Sequence, residues 1–147
     1  MEQKKILYFE EEKWFADTII PAIDEKTQYT VTLVVTPAEF FEEINSNCQY
    51  DLFILDIMVP MSLFTEDDIE NKLSGAQLRR LNYGLDVGVV FYEKIREIDK
   101  YKGTPVIFYT AKKNPQIVED KVKYFSKPAE PEIIIDGIND LLKKVSV

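Results

Sequence analysis

Four short apolar runs in this chain end in residues able to handle charge. Lys5 to Phe9 ends in Glu10-Glu11-Glu12, Leu52 to Leu55 in Asp56, and Thr104 to Tyr109 in Thr110, while Val122 to Phe125 leads through Ser126 into Lys127-Pro128. Glu10, Glu11 and Asp56 against the single ammonium of Lys127 leave an excess of carboxylate oxygens, which suits a hard divalent cation such as Mg2+. A cation, a hydroxyl and a lysine converging on one Asp can neutralise the oxygens of a transferring phosphoryl group. The chemistry this suggests is nucleophilic attack by Asp56 on a phosphoryl donor, forming an acyl phosphate. Two plainer readings stand beside it. Asp56 is a common turn residue and would simply cap the turn after its strand. Glu10 to Glu12 would charge the first turn of a helix, where they suit its dipole.

Bringing those four ends together is a task for the elements behind them. Leu52 to Leu55 is a continuous apolar run, which fits a strand buried on both faces at the centre of a parallel sheet. Tyr29 to Val35 is β-branched and supplies a further strand. Between the strands lie helical spacings: Trp14, Phe15, Thr18, Ile19 and Ile23, with Pro21 expected to kink or shorten the helix; Phe40, Phe41 and Ile44 after a Thr36 N-cap and Pro37; Val90, Phe91, Ile95 and Ile98; and Ile134, Ile138, Leu141, Leu142 and Val145 over Pro131 to Val145. Alternating strands and helices with right-handed crossovers predict an α/β fold, a (βα)5 doubly wound five-stranded parallel sheet of flavodoxin-like type. The charged strand ends then share the carboxyl edge, where such sheets bind ligands.

Composition narrows the chemistry. At 147 residues the chain is expected to form one domain spanning 1–147. It holds no histidine, which excludes a His-based triad, a His metal cluster and a phosphohistidine on this chain. Its one cysteine, Cys48, excludes an internal disulfide and an all-cysteine zinc site. A net charge of −8 without a basic run argues against direct nucleic-acid binding and against anionic membranes. Ile6 to Phe9 is too short for a signal peptide before the glutamates, and no stretch approaches a membrane span, so a cytoplasmic location is expected.

With these residues in view, the chain resembles the receiver domains of two-component response regulators. Lys4 to Glu12 is similar to the family's first strand and acidic pair, and Leu55-Asp56-Ile57-Met58-Val59-Pro60 to its phosphoacceptor strand and following proline. Thr104 to Ala111 matches the strand carrying the switch Thr, and Tyr124-Phe125-Ser126-Lys127-Pro128 the switch aromatic and Lys-Pro. The resemblance implies that Asp56 accepts a phosphoryl group from a histidine kinase or histidine phosphotransfer protein. It also implies that Glu10, Glu11, Asp56 and the Met58 carbonyl hold Mg2+, and that Lys127 pairs with phosphoryl oxygens. Thr110 and Tyr124 would act as the switch pair, and Lys127-Pro128 is commonly cis in the family. A stand-alone receiver signalling by protein–protein contact, without catalytic output of its own, is the expected function. A haloacid-dehalogenase-like phosphatase would want a second Asp two residues past Asp56, where Met58 stands.

Three features depart from the family pattern. The acidic pair is Glu10-Glu11, each carboxylate one methylene longer than Asp. Residues about 61–86 are inserted between the third strand and the third helix, since Gly88, or alternatively Gly84, fits the glycine that opens that helix. Within the insertion, Thr65 to Asp68 is predicted to start a short helix with Ile69 and Leu73 inward and Ser74-Gly75 ending it. Leu63, Phe64, Leu73, Leu78 and Leu81 would form a small satellite core or a docking surface. Arg79 and Arg80 would be solvated or in surface ion pairs, or else reach a phosphoryl group. Finally the stretch between Thr110 and Lys127 is short, with Asn114-Pro115 disfavouring a helix and Gln116 to Lys121 leaving at best a stub of the fourth. These departures motivate the alternative, a pseudo-receiver that binds proteins without phosphotransfer.

Overall fold

The computed structural model describes residues 3–112 and 117–145, with side chains described through residue 143. Five parallel strands, β1 (Lys5–Phe9), β2 (Thr30–Val34), β3 (Leu52–Leu55), β4 (Val106–Thr110) and β5 (Val122–Ser126), form one sheet in the order β2-β1-β3-β4-β5. The order reverses direction at β1, and this creates the crevice at the carboxyl edge between β1 and β3. Strand alternation sorts the core into two layers. Ile6, Tyr8, Leu52, Ile54, Ile107 and Tyr109 face α1 (Lys13–Lys26) and α5 (Pro131–Val145). Leu7, Phe9, Phe53, Leu55, Val106 and Phe108 face α2 (Pro37–Ile44) and the helix Val87–Glu97.

Local chemistry explains the helix boundaries. Thr36 accepts a bond from the Glu39 amide, and Pro37 occupies the first turn of α2. α1 runs through Pro21 to Lys26 instead of stopping there, and it buries Ala16, Ile19 and Ile23 while Trp14 stands 65% exposed. No acidic residue lies inside its first turn; Glu12 stands at its N-cap position without a side-chain cap bond. α5 buries Ile134, Ile138, Leu141 and Leu142 as its spacing predicts; the Val145 side chain lies outside the described residues.

The insertion folds onto the main body. A 3-10 turn (Met61–Leu63) and a π-helical segment (Asp68–Lys72) precede α3 (Gly75–Arg80), and a second 3-10 turn (Asn82–Gly84) leads into α4 (Val87–Glu97). Thr65 and Asp68 exchange side-chain-to-amide bonds at 2.8 and 3.1 Å, so the predicted helix start is present, and Asp68 is buried. Two expectations are corrected here. Ile69 is exposed, because the π-helical register turns Asp68 inward in its place. Ser74-Gly75 does not end that helix but begins the next one: Ser74 caps α3 through a reciprocal box with Gln77, at 3.0 and 3.1 Å. Leu73 and Leu81 belong to the main α2/α4 core, and Leu63, Phe64 and Leu78 pack against it, so the apolar residues of the insertion extend that core instead of making a separate one. Arg80 pairs with Glu93 of α4 at 2.6 Å on the surface.

Gly88 settles the choice of glycine. A Cβ there would stand 2.3 Å from the Asp56 carbonyl oxygen, and its amide bonds the Ile57 carbonyl at 2.9 Å. α4 therefore rests its first turn directly on the segment after β3, and only glycine allows that approach. Between β4 and β5, the stub expected over Gln116 to Lys121 is not formed in its described part: residues 117–121 carry no helix, and Asn114, Pro115 and Gln116 lie outside the described residues.

Candidate functional site

Strand register delivers the charged residues to one place. Phe9 pairs with Leu55, so Glu10 and Asp56 each emerge one residue past the same rung. Thr110 pairs with Ser126, and the Lys127 amide continues the ladder to the Thr110 carbonyl at 3.0 Å. Glu10 follows Tyr8, and Asp56 follows Ile54, on the α1/α5 side of the sheet. Lys127 enters from the same side: its Nζ lies 2.7 Å from Asp56 Oδ2, 2.8 Å from Glu10 Oε1 and 2.9 Å from Glu10 Oε2. The ammonium is almost fully buried, and the two carboxylates are equally so. Burial pulls the Lys127 ammonium toward losing its proton, but the charges and hydrogen bonds of Asp56 and Glu10 outweigh this and hold its pKa above the ordinary value.

Glu10 has further donors. The Tyr8 hydroxyl donates to Oε1 at 3.2 Å and the Glu12 amide to Oε2 at 3.3 Å. Burial nevertheless pushes its carboxyl up to about 7, with Lys127 opposing and the Asp56 charge adding to the rise. Desolvation and that carboxylate likewise raise the Tyr8 hydroxyl far above its usual value. Glu11 is only partly buried; desolvation, then Glu12 and Asp56, raise its carboxyl, and Lys127 works against them. Asp56 Oδ1 accepts the Met58 amide at 3.3 Å.

The predicted residues thus fall into two groups. Glu10, Asp56 and Lys127 meet in one buried cluster. Thr110 and Tyr124 do not join it. Thr110 lies next to Tyr109 along β4 and so faces the other side of the sheet, where its Oγ1 accepts the Lys112 amide at 3.1 Å. Tyr124 stacks on Phe108 at 5.2 Å between centroids and donates its hydroxyl to the Ile117 carbonyl at 2.9 Å. Among the described residues no three acidic side chains are gathered in the geometry of a metal site. The donor set is nonetheless all oxygen, as Mg2+ requires. Lys127-Pro128 is cis, as the resemblance implies.

The end of the insertion borders this edge. Lys112, two residues past Thr110, forms an ion pair with Asp86 and donates to the Leu85 carbonyl at 3.0 Å. On the other side, the Val59 amide donates to the Gly84 carbonyl at 2.9 Å. The turn holding these contacts carries Asn82 at φ 50°, Tyr83 at φ 55° and Gly84 at φ 96°.

No protein-family model matches the chain. A probable transcriptional regulator, ycf29, of Porphyra purpurea is 28% identical over 127 residues, covering 81% of this chain and 47% of that protein. The chain therefore spans about half the length of this curated relative. The N-terminal domain of a response regulator/sensory box/GGDEF three-domain protein from Carboxydothermus hydrogenoformans superposes with a TM-score of 0.67 at 26% identity, over 97% of both chains. The fold is that of a response regulator receiver domain. A CheY-like receiver domain from Methanospirillum hungatei gives a TM-score of 0.70 at 18% identity, over 97% of this chain and 96% of that one, a likeness that shows the receiver fold alone.

Three residues at this carboxyl edge escaped sequence reasoning. Tyr8 was accessible to it, since residues two apart on a strand share a face and Tyr8 precedes Glu10 by two. Phe15 and Tyr109, whose rings lie 4.4 and 5.7 Å from the Lys127 ammonium, were not, because they reach it from different elements.

Proposed function

We propose that this receiver domain accepts a phosphoryl group on Asp56 from the phosphohistidine of a histidine kinase or histidine phosphotransfer protein. It then signals through protein–protein contact, without a catalytic output within residues 1–147. The observation that carries the reading is the Lys127 ammonium seated between Asp56 and Glu10 at the carboxyl edge between β1 and β3. In the transfer, an Asp56 carboxylate oxygen bonds to phosphorus while the phosphorus–nitrogen bond of the donor breaks. The electron pair stays on the imidazole, and an acyl phosphate forms on Asp56. Lys127, already bonded to Asp56, turns its ammonium to the entering phosphoryl oxygens, and Glu10 remains as its counterion. Thr110 and Tyr124 would act as the switch pair, with the Thr110 hydroxyl moving toward the phosphoryl group from the other side of the sheet. Glu10, Glu11, Asp56 and the Met58 carbonyl are the oxygens that would hold Mg2+. The metal would supply positive charge against the phosphoryl oxygens. No helix among the described residues is long and apolar enough to cross a membrane. A cytoplasmic setting, where such donors act, belongs to the same proposal.

Incubation with Mg2+ and acetyl phosphate tests this directly. One added phosphate is expected by intact mass, absent in Asp56→Asn and without Mg2+. An unmodified protein under saturating donor would sink the reading. One observation favours the pseudo-receiver instead: Glu11 is not drawn into the Glu10–Lys127–Asp56 cluster, and no acidic triad is formed among the described residues. Trp14, the only tryptophan, lies just past the glutamates, so its fluorescence reports the difference. Saturable quenching or enhancement by Mg2+, abolished in Glu11→Gln, supports the phosphorylatable receiver; a flat titration supports the pseudo-receiver.

A further inference from the structure

We infer that Phe15 is a positioning residue for phosphoryl transfer, acting through Lys127; this rests on the reading of Asp56 as phosphoacceptor. The Lys127 Nζ touches two carboxylates and also lies over two aromatic rings. The Phe15 ring centroid lies 4.4 Å from it and that of Tyr109 lies 5.7 Å from it. The two rings meet edge to face at 6.0 Å and 89°. Each is held in place. Trp14 packs edge to face on Phe15 at 5.0 Å. The Tyr109 hydroxyl accepts the Ala129 amide at 3.0 Å, just past Pro128.

The consequence follows from how the two kinds of contact act. A carboxylate oxygen holds an ammonium proton at a point, and the Lys127 bonds to Asp56 and Glu10 must loosen when a phosphoryl group arrives. A ring face attracts the same cation through its quadrupole over a surface, without fixing the direction of any N–H. Lys127 can therefore pivot from carboxylate to phosphoryl oxygen without losing the Phe15 contact. Lysine on its flexible stem otherwise tends to carry its charge toward water. Phe15, on the first turn of α1, offers the charge a ring face in place of water. It touches neither Asp56 nor the phosphoryl group in this scheme. Its effect is to keep the cation in the crevice through the transfer.

The test replaces Phe15 by mono-, di- and trifluorophenylalanine at that one position, alongside Phe15→Leu and Phe15→Tyr. Fluorine drains the ring face while nearly preserving its shape. The rate of phosphorylation by acetyl phosphate in Mg2+ is expected to fall stepwise with fluorine count. Phe15→Leu should be about fivefold or more slower, and Phe15→Tyr should stay near wild type. Thermal midpoints should stay constant across the fluorinated series, which separates the electrostatic role from packing. The Lys127 ε-methylene protons, shifted upfield by the rings in the wild type, should move downfield in Phe15→Leu. A rate independent of fluorination in a protein that does take phosphate overturns the role of Phe15 and leaves the receiver reading intact. If the wild type takes no phosphate, the receiver reading fails and this inference goes with it; an absent ring-current shift overturns the geometry independently of either.

Discussion

The strand-end cluster and the inserted segment of residues 61–86 lie side by side but are built on opposite principles. The cluster stores charge where water cannot reach: Glu10, Asp56 and Lys127 are buried together and depend on one another. The insertion stores apolar contacts and capped helix ends, with its ion pairs, such as Arg80–Glu93, left at the surface. The two regions therefore tolerate substitution differently. A buried ion cluster fails sharply when one member is removed, since the partner is left as an uncompensated charge. A segment held by caps and core leucines loses stability in small steps.

The largest effect should therefore come from Lys127→Ala, which strands two carboxylates. We expect a loss of about 3–5 kcal/mol in urea unfolding near neutral pH. A loss below about 1 kcal/mol would show that water compensates the cluster and would erase the contrast. Next comes Gly84→Ala in the turn that ends the insertion. The residue sits at φ 96°, and a Cβ would stand 2.5 Å from the Val59 carbonyl oxygen, so about 2 kcal/mol should be lost. Here the insertion should respond more sharply than at its caps or surface pairs, because its backbone rests on the segment after β3.

The Glu10 carboxyl is raised in the folded state to about 7 from an ordinary value of 4.5. The folded protein thus binds the extra proton between those values, and the stability this contributes is full below about 4.5 and lost as pH rises through about 7. Urea unfolding of metal-free protein across this window should show stability falling with pH, with a shallower slope in Glu10→Gln. An unchanged slope in that variant would assign the pH dependence elsewhere. The smallest effects belong to the surface of the insertion. Ser74→Ala removes the α3 capping box and should cost about 1 kcal/mol, while Arg80→Ala should change stability by no more than about 0.5 kcal/mol. Neither should alter phosphorylation of Asp56 by acetyl phosphate; a slowed rate in Ser74→Ala would mean that α3 is coupled to the site.

Much of the fold was legible because it rests on local patterns. The apolar runs at Lys5–Phe9, Leu52–Leu55 and Val106–Thr110, the Thr36-Pro37 helix start and the periodic Val87–Glu97 all express short-range rules of period and capping. The insertion was legible only in part. Thr65 and Asp68 announce a helix start, but whether Ser74 closes one helix or opens another depends on Gln77 answering it three residues later. The outward turn of Ile69 depends on a π-helical register that no side-chain spacing displays.

By itself the sequence determined which residues stand at strand ends, because periodicity and Pro, Gly or Asp punctuation are properties of neighbours along the chain. It thereby named Glu10, Asp56, Thr110 and Lys127 as companions at one edge. Only the tertiary structure decided which of them touch. Register brought Glu10, Asp56 and Lys127 into one buried cluster, while strand alternation left Thr110 on the opposite side, bonded to its own loop. The same packing set Phe15 of α1 and Tyr109 of β4 over the ammonium, from places far apart in the chain. The physical reason is that a buried charge is defined by everything within a few ångströms of it, and most of those neighbours arrive from other elements.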